Sequence, residues 1–296
     1  MNISFVVSTL KRSGPTNQLF NLIKYLDKEK FCIQIITLSP ECLDSRFLDF
    51  LSLGVEVISL NQNRWRGLLG VKSRLNSILS ISKPDVIHSH GIRADYLVSR
   101  LKMAVPKFST VHNFPQLDYP KRYGFLLGWL MVLVHTKTMK RFDCCVGVSD
   151  SVVANLRQFG VSNSISVRNG VDEDFILSKK KTIKKAILRK DLKLPAEGEI
   201  WVSSGHLSNI KDPLFLINLW KTNFFQNDKR HLVLVGNGEL FEICKRYCDG
   251  QTNIHLIGRV VNVADYLCAS DFYISASKAE GFPMAVIEAL ACGLPV

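Results

Sequence analysis

The sequence predicts an α/β chain made of two parallel-sheet domains, and three observations carry that expectation. Short apolar runs rich in Val, Ile and Phe alternate with stretches of helical period almost throughout. The rhythm breaks in a basic segment and restarts near Glu199. The chain's 296 residues, 47% of them hydrophobic, suffice for two separate cores.

In order, ISFVVST leads into NQLFNLIKYL, CIQIITL into SRFLDFLSL, and VEVISL into LLGVKSRLNSILS. DVIHSHG then precedes ADYLVSRL, and KFSTVHN follows. Apolar strands joined by amphipathic helices form a parallel sheet covered on both faces. The second cycle reads EIWVSSG, helical DPLFLINLWKTNFF, HLVLVG, helical GELFEICKRYC, NIHLIG, a short helix NVADYLCAS, then DFYISAS. Residues 1–172 are read as the first domain, 173–197 as a linker region and 198–296 as the second domain. Within the linker, SKKKTIKKAILRKDLKLP is basic, weakly apolar and punctuated by Pro195 and Gly198, so it is read as solvated chain with a short helix. No repeat of 20 to 50 residues and no low-complexity tract is visible.

The final seventeen residues, EGFPMAVIEALACGLPV, carry the sharpest chemical signal. Pro283 suits the first turn of a helix reaching Ala291, because its fixed φ fits and its missing N–H costs nothing there. Such a helix start points free amides and a positive dipole end toward Glu280 and Gly281, where an anion fits. Two carboxylates beside an anion site, Glu280 outside the helix and Glu288 inside it, suit a ligand carrying both phosphate and sugar hydroxyls. Taken alone, the same pair also suits a solvated amphipathic helix preceded by a loop carboxylate.

Charge is uneven. Residues 1–172 hold 22 Lys and Arg against 12 Asp and Glu, and the remainder 16 against 14, within a net +12. An excess of this kind suits an anionic membrane surface or a phosphate-bearing acceptor; no recognition motif accompanies it, so nucleic acid is not expected as a partner. Within KRYGFLLGWLMVLVHTKTMKRF, the uncharged run Tyr123 to Thr136 is fourteen residues, too short to span a bilayer. It is read foremost as a buried core helix, with an interfacial anchor as the alternative. The N-terminus lacks the features of a signal peptide. The eight cysteines are scattered without a CxxC pair, which points to reduced buried thiols in a cytoplasmic protein. His88 and His90 are read as pointing to opposite faces of a strand, against a shared metal. No DxD motif stands at a strand end, and metal-independent chemistry is expected.

With NGVD at 169–172, GHLSNIKDP at 205–213, VGNGEL at 235–240 and HSHG at 88–91, the terminal junction resembles the family 4 retaining glycosyltransferases over essentially the whole chain. The resemblance implies a GT-B architecture, two Rossmann-like domains facing each other across a cleft with a nucleotide-sugar held mainly by the second. It further implies that Lys211 neutralises the donor diphosphate, Glu280 meets the donor sugar and Glu288 meets the ribose. By the same resemblance the amides of Gly281, Phe282, Met284 and Ala285 line the pocket, and backbone at Arg259 and Val260 reads the base. Gly14 corresponds to a glycine against the donor phosphates, with a turn glycine demanded by φ alone as the other reading. His112 is similar to the histidine that contacts the transferred sugar. His206 replaces an arginine usual in the family; it is either a phosphate partner or a loop histidine without a catalytic role.

The activity implied is transfer of a hexose-type sugar, with retention, from a nucleotide-sugar to a glycan or lipid-linked acceptor of surface polysaccharide assembly. It needs no cofactor and is placed in the cytoplasm or at the cytoplasmic face of a membrane. Because GLPV reads as the opening of another strand, Val296 is read as an early stop, leaving the second sheet incomplete and activity in question. A binding remnant and a nucleotide-sugar epimerase are the alternative functions. A nicotinamide dehydrogenase is disfavoured because no GxGxxG follows the first strand.

Overall fold

The computed structural model describes residues 1–62, 68–172, 184–222 and 229–296, apart from the side chains of 68 and 69. Two compact units divide the chain, Met1–Gly170 and Val171–Val296.

The first unit is built on β1 (Asn2–Val7), α1 (Gly14–Tyr25), β2 (Cys32–Thr37), α2 (Phe47–Ser52), β3 (Glu56–Ser59), α3 (Leu68–Ser82), β4 (Val86–His90) and α4 (Ile92–Val98). It continues through β5 (Lys107–Val111), α5 (Pro115–Tyr123), α6 (Phe125–Met139), β6 (Cys144–Gly147), α7 (Asp150–Gln158) and β7 (Ser164–Ser166). The seven strands run in the order β3-β2-β1-β4-β5-β6-β7 and pair in parallel. Strands buried on both faces need apolar side chains at nearly every position, which is why ISFVVST and CIQIITL lack alternation. Phe5, Val7, Leu19, Ile23, Ile35 and Phe50 form one core beneath α1 and α2. Helix α1 starts where Ser13 accepts from the Thr16 amide and Pro15 opens the first turn. Strands β6 and β7 have no counterpart in the sequence reading, because CCVG and SIS are too short to show a period.

The second unit contains α8 (Lys185–Asp191), β8 (Glu199–Ser204), α9 (Pro213–Trp220), β9 (Arg230–Val235), α10 (Phe241–Cys248), β10 (Ile254–Gly258), α11 (Val263–Ala269), β11 (Phe272–Tyr273) and α12 (Met284–Ala291). Its parallel strands run β10-β9-β8-β11. One layer of helices packs Leu216, Ile217 and Trp220 against Leu232 and Leu234; the other face gathers Leu188, Ile200, Val202, Val233, Leu267 and Ala289. The run DFYISAS pairs as a strand only at Phe272–Tyr273.

Three expectations change. Of the stretch 173–197 expected as linker, 173–183 lie outside the described residues, and the rest belongs to the second unit. There α8 buries Leu188 and Arg189. The Arg189 guanidinium donates to the carbonyls of Ala269 (3.0 Å), Gly198 (3.1 Å) and Ala196 (3.3 Å) and to Asp271 Oδ2 (2.6 Å). A basic residue that finds a carboxylate and three carbonyls can be buried; the composition of the segment could not reveal those partners. Helix α6 is not enclosed either. One face is buried through Gly128, Val132, His135 and Met139, Met131 and Val134 are half-buried, and Phe125, Leu126, Leu127, Trp129, Leu130 and Leu133 are exposed. Finally, all eight cysteines are free thiols but not all are buried, since Cys32 and Cys42 are exposed.

Candidate functional site

At the carboxyl ends of β8, β9 and β10, three loops are laced by main-chain hydrogen bonds. Gly205 N donates to Val235 O (2.9 Å), Leu207 N to Asn237 O (3.1 Å) and Gly236 N to Gly258 O (2.8 Å). The approach is close enough to require glycine at 236. A Cβ there would lie 1.8 Å from Gly205 O, and φ is +147°. Carboxyl ends of parallel strands are where open α/β sheets bind ligands. In the first unit, a cavity of about 450 Å³ lies at the amino ends of β1, β2 and β3.

Onto this floor come Lys211 and Glu280. The Lys211 ammonium forms an ion pair with Glu280 Oε1. Two further contacts hold the same two loops in register: Lys278 N donates to Ile210 O (2.8 Å), and Lys278 Nζ pairs with Asp212 Oδ2 (2.6 Å). Asp212 stands in a left-handed conformation immediately before Pro213 opens α9, which turns the chain so that Lys211 leaves on the loop side.

Glu280 is followed by buried Gly281, half-buried Phe282 and Pro283, which caps α12 in an extended conformation rather than occupying its first turn. The Pro283 carbonyl accepts from Val286 and Ile287, so the amides of Met284 and Ala285 lie before the first intrahelical bond. Glu288 sits one turn further along, half-buried and with no ion pair among the described residues; burial pushes its carboxyl up to about 7. Tyr273, buried at the end of β11, donates to Ser204 O (3.3 Å); burial raises its phenol, with smaller contributions from Glu280 and Glu288.

The remaining candidates in this unit are His206, Arg259 and Val260. His206 Nε2 is 2.8 Å from Glu239 Oε2, with both side chains more than half exposed. The imidazole is thus engaged by a neighbouring loop carboxylate, a partner that the spacing of VGNGEL does not announce. Arg259 is exposed after the bulged end of β10, and Val260 packs on the core.

In the first unit, Gly14 opens α1 with φ outside the left-handed region and nothing within 4 Å of an added Cβ. Backbone conformation therefore does not explain this glycine, whereas open space beside a helix start is compatible with a close ligand. His112 follows β5, with Nε2 3.1 Å from His90 Nδ1. The expectation that His88 and His90 face opposite sides is wrong. Residues two apart on a strand share a face, and their rings lie 5.0 Å apart, with Phe5 stacked on His88. His88 Nε2 bonds Thr110 Oγ1 at 2.7 Å. Burial holds His88 and His112 down at about 4 and His90 well below its usual value, so the cluster is neutral.

The sequence reading missed a buried chain behind that cluster. Ser89 Oγ donates to Asp95 Oδ1 (2.6 Å), His135 Nε2 meets Asp95 Oδ2 (2.7 Å), and Tyr119 OH meets His135 Nδ1 (2.8 Å). It clips α5 and α6 to α4. Nothing in the local sequence pairs residues 40 positions apart, although a histidine inside an apolar helix is a signal that a polar partner exists. Among the described residues no group of three His, Cys, Asp or Glu is arranged to hold a metal.

Comparison with known proteins adds two family matches, "Glycosyltransferase Family 4" over residues 12–175 and "Glycosyl transferases group 1" over residues 198–296. The chain is 24% identical over its full length to the O-antigen biosynthesis glycosyltransferase WclY of Escherichia coli, covering 79% of that protein. It is 28% identical, over 75% of its length and 59% of the relative's, to the E. coli UDP-Gal:alpha-D-GlcNAc-diphosphoundecaprenol alpha-1,3-galactosyltransferase. Among solved structures, Anabaena HepE in complex with UDP-glucose superposes with a TM-score of 0.80 at 19% identity, covering all of this chain and 79% of that one.

Proposed function

The chain belongs to glycosyltransferase family 4 and has the GT-B type of α/β fold, and from that premise we propose a retaining transfer of a hexose-type sugar from a nucleotide-sugar to a glycan or lipid-linked acceptor. That it is a glycosyltransferase of surface polysaccharide synthesis follows from the family and its relatives. The observation that carries the finer reading is the ion pair that brings the Lys211 ammonium to Glu280, just ahead of the start of α12.

In this reading the donor diphosphate displaces the Glu280 carboxylate from Lys211 and lies between the ammonium and the first amides of α12. Both act where charge develops as the bond between the anomeric carbon and the diphosphate oxygen breaks. Freed from the lysine, Glu280 accepts hydrogen bonds from the sugar hydroxyls, Glu288 from the ribose, and neutral His112 contacts the transferred sugar. The acceptor hydroxyl attacks from the face the leaving group departs, and its proton passes to the departing phosphate oxygen, which gives retention. The backbone around Arg259 and Val260 serves the base, and Gly14 leaves room against the phosphates.

UDP-sugars are the first donors to try, because HepE binds UDP-glucose and the galactosyltransferase relative is named for UDP-Gal. The diphosphoundecaprenol in that relative's name supports a lipid-linked acceptor and work beside a membrane, at its cytoplasmic face. No cofactor or metal enters the scheme.

The test is release of nucleoside diphosphate from UDP-sugars on addition of a lipid-diphosphate glycan, with the product's anomeric configuration read by NMR. Inversion, or a covalent sugar trapped on Glu280, refutes the front-face route.

A further inference from the structure

Over its first ten residues, Phe125 to Val134, helix α6 is apolar on all sides. A helix of that composition is ordinarily enclosed by protein or in contact with lipid. Here one side is enclosed: Gly128 lies so close to α5 that an added Cβ would fall 2.4 Å from Pro120 Cα, and His135 is held by Tyr119 and Asp95. The helix is therefore docked firmly within its unit, and what it leaves outside is a fixed surface. That surface consists of Phe125, Leu126, Leu127, Trp129, Leu130 and Leu133, exposed by 36% to 85%. An isolated exposed leucine means nothing, but six large apolar side chains within nine residues form a patch that water does not favour.

The charges around the patch name its occupant. Residues 115–141 contain five basic side chains, Lys121, Arg122, Lys137, Lys140 and Arg141, against a single acid, Asp118, which is turned to Asn113. Lys121, Arg122 and Lys137 are exposed and form no ion pair among the described residues. A protein partner of matching apolar shape needs no such rim. An anionic bilayer needs both features, a wedge for the acyl boundary and cations for the headgroups, with Trp129 at the level between them. At fifteen residues the helix cannot cross the bilayer, and no described helix is long and apolar enough to do so.

We propose that the exposed face of α6, with its basic rim, docks the first unit onto the surface of an anionic membrane, lying in the interface plane. The proposal deepens the reading above only in its rationale, a lipid-tethered acceptor; the surface argument stands on α6 and its basic flanks.

The experiment sediments the full chain with vesicles of phosphatidylglycerol and phosphatidylethanolamine, and separately of phosphatidylcholine alone. The wild type should sediment with the anionic vesicles and be released by salt. Leu126→Glu with Leu130→Glu should lower partitioning by about a hundredfold, and Lys121→Glu with Arg122→Glu by roughly tenfold. Thermal shift by a UDP-sugar, measured on the same variants, should be unchanged; it reports the catalytic reading independently, so either idea can fail alone. Wild type left in the supernatant overturns the proposal, as does unaltered sedimentation of the Leu126→Glu, Leu130→Glu protein. A dimer in sedimentation velocity that this double substitution dissociates also overturns it, because the face then belongs to a second copy.

Discussion

Lys211 Nζ rests on the Glu280 carboxylate across 69 positions of sequence, each side chain about a quarter exposed. A partly solvated pair of this kind contributes ~1 kcal/mol or less to folding. Its chemical use can therefore be separated from its structural one. Lys211→Ala is expected to lower kcat/KM by about 10²- to 10³-fold while leaving the melting temperature nearly unchanged. Acceptor-dependent release of nucleoside diphosphate beside a melting curve checks both halves; near-normal turnover would remove Lys211 from the mechanism.

Glu288 should make donor binding depend on pH. Its carboxyl is raised to about 7 by burial, and hydrogen bonds from ribose hydroxyls favour the ionised form, so binding releases a proton near neutrality. Calorimetry should show affinity for a UDP-sugar tightening from pH 6 to pH 8. Glu288→Gln should remove that dependence and weaken binding by ~1–2 kcal/mol. A Gln variant with the wild-type pH profile sinks the assignment.

The same carboxyl and the histidine cluster pull stability in opposite directions. A carboxyl raised in the folded state stabilises below its unfolded value of 4.5 and loses that contribution as pH rises through about 7. His88 and His112 are depressed to about 4, so their contribution is full above 6.5 and is lost as pH falls toward 4, where the unfolded chain has already taken up protons. Urea unfolding between pH 4 and 8 should show this acid-side loss, reduced in His112→Asn; an unchanged acid slope in that variant contradicts the neutral cluster.

Arg189→Ala should destabilise the second unit by ~1–3 kcal/mol, since it removes the guanidinium donors of three carbonyls, while Asp271 keeps Lys185 and the Ile200 amide. Arg189→Lys should rescue little, because one ammonium cannot reproduce the divergent donors of a guanidinium. Denaturant titration of both variants checks this, and a fully stable Lys protein would refute the fork argument.

Gly236→Ala should impair donor binding along with stability. The added Cβ cannot sit 1.8 Å from Gly205 O, and the residue would also be strained at φ +147°. A loss of ~2 kcal/mol or more is expected, together with loss of the UDP-sugar thermal shift. Retained binding would mean that these loops do not form the floor of the site.

The alternation of apolar and amphipathic runs made the parallel sheets legible, because strands covered on both faces cannot hide their composition. The E-x7-E junction was legible for a similar reason, since Pro283 and Gly281 mark a helix start that few other structures require. Contacts between distant segments were not. Nothing near Lys278 signals Asp212, nothing near Arg189 signals Asp271, and nothing in VGNGEL signals that Glu239 takes His206. Helix α6 was half legible: its apolar composition marked a core helix, which it is on one face, but composition does not report whether both sides are covered. The His88 and His90 error was one of strand period rather than of hidden information.

The floor where Gly205, Gly236 and Gly258 meet is made of main chain, so its shape is indifferent to which side chains stand on the surrounding rim. If the donor lies on this platform as proposed, exchanges at His206, Asn237, Glu239 or Arg259 are expected to retune which sugar or base is admitted without rebuilding the platform beneath. Those four positions are the natural targets for a saturation library seeking new donors.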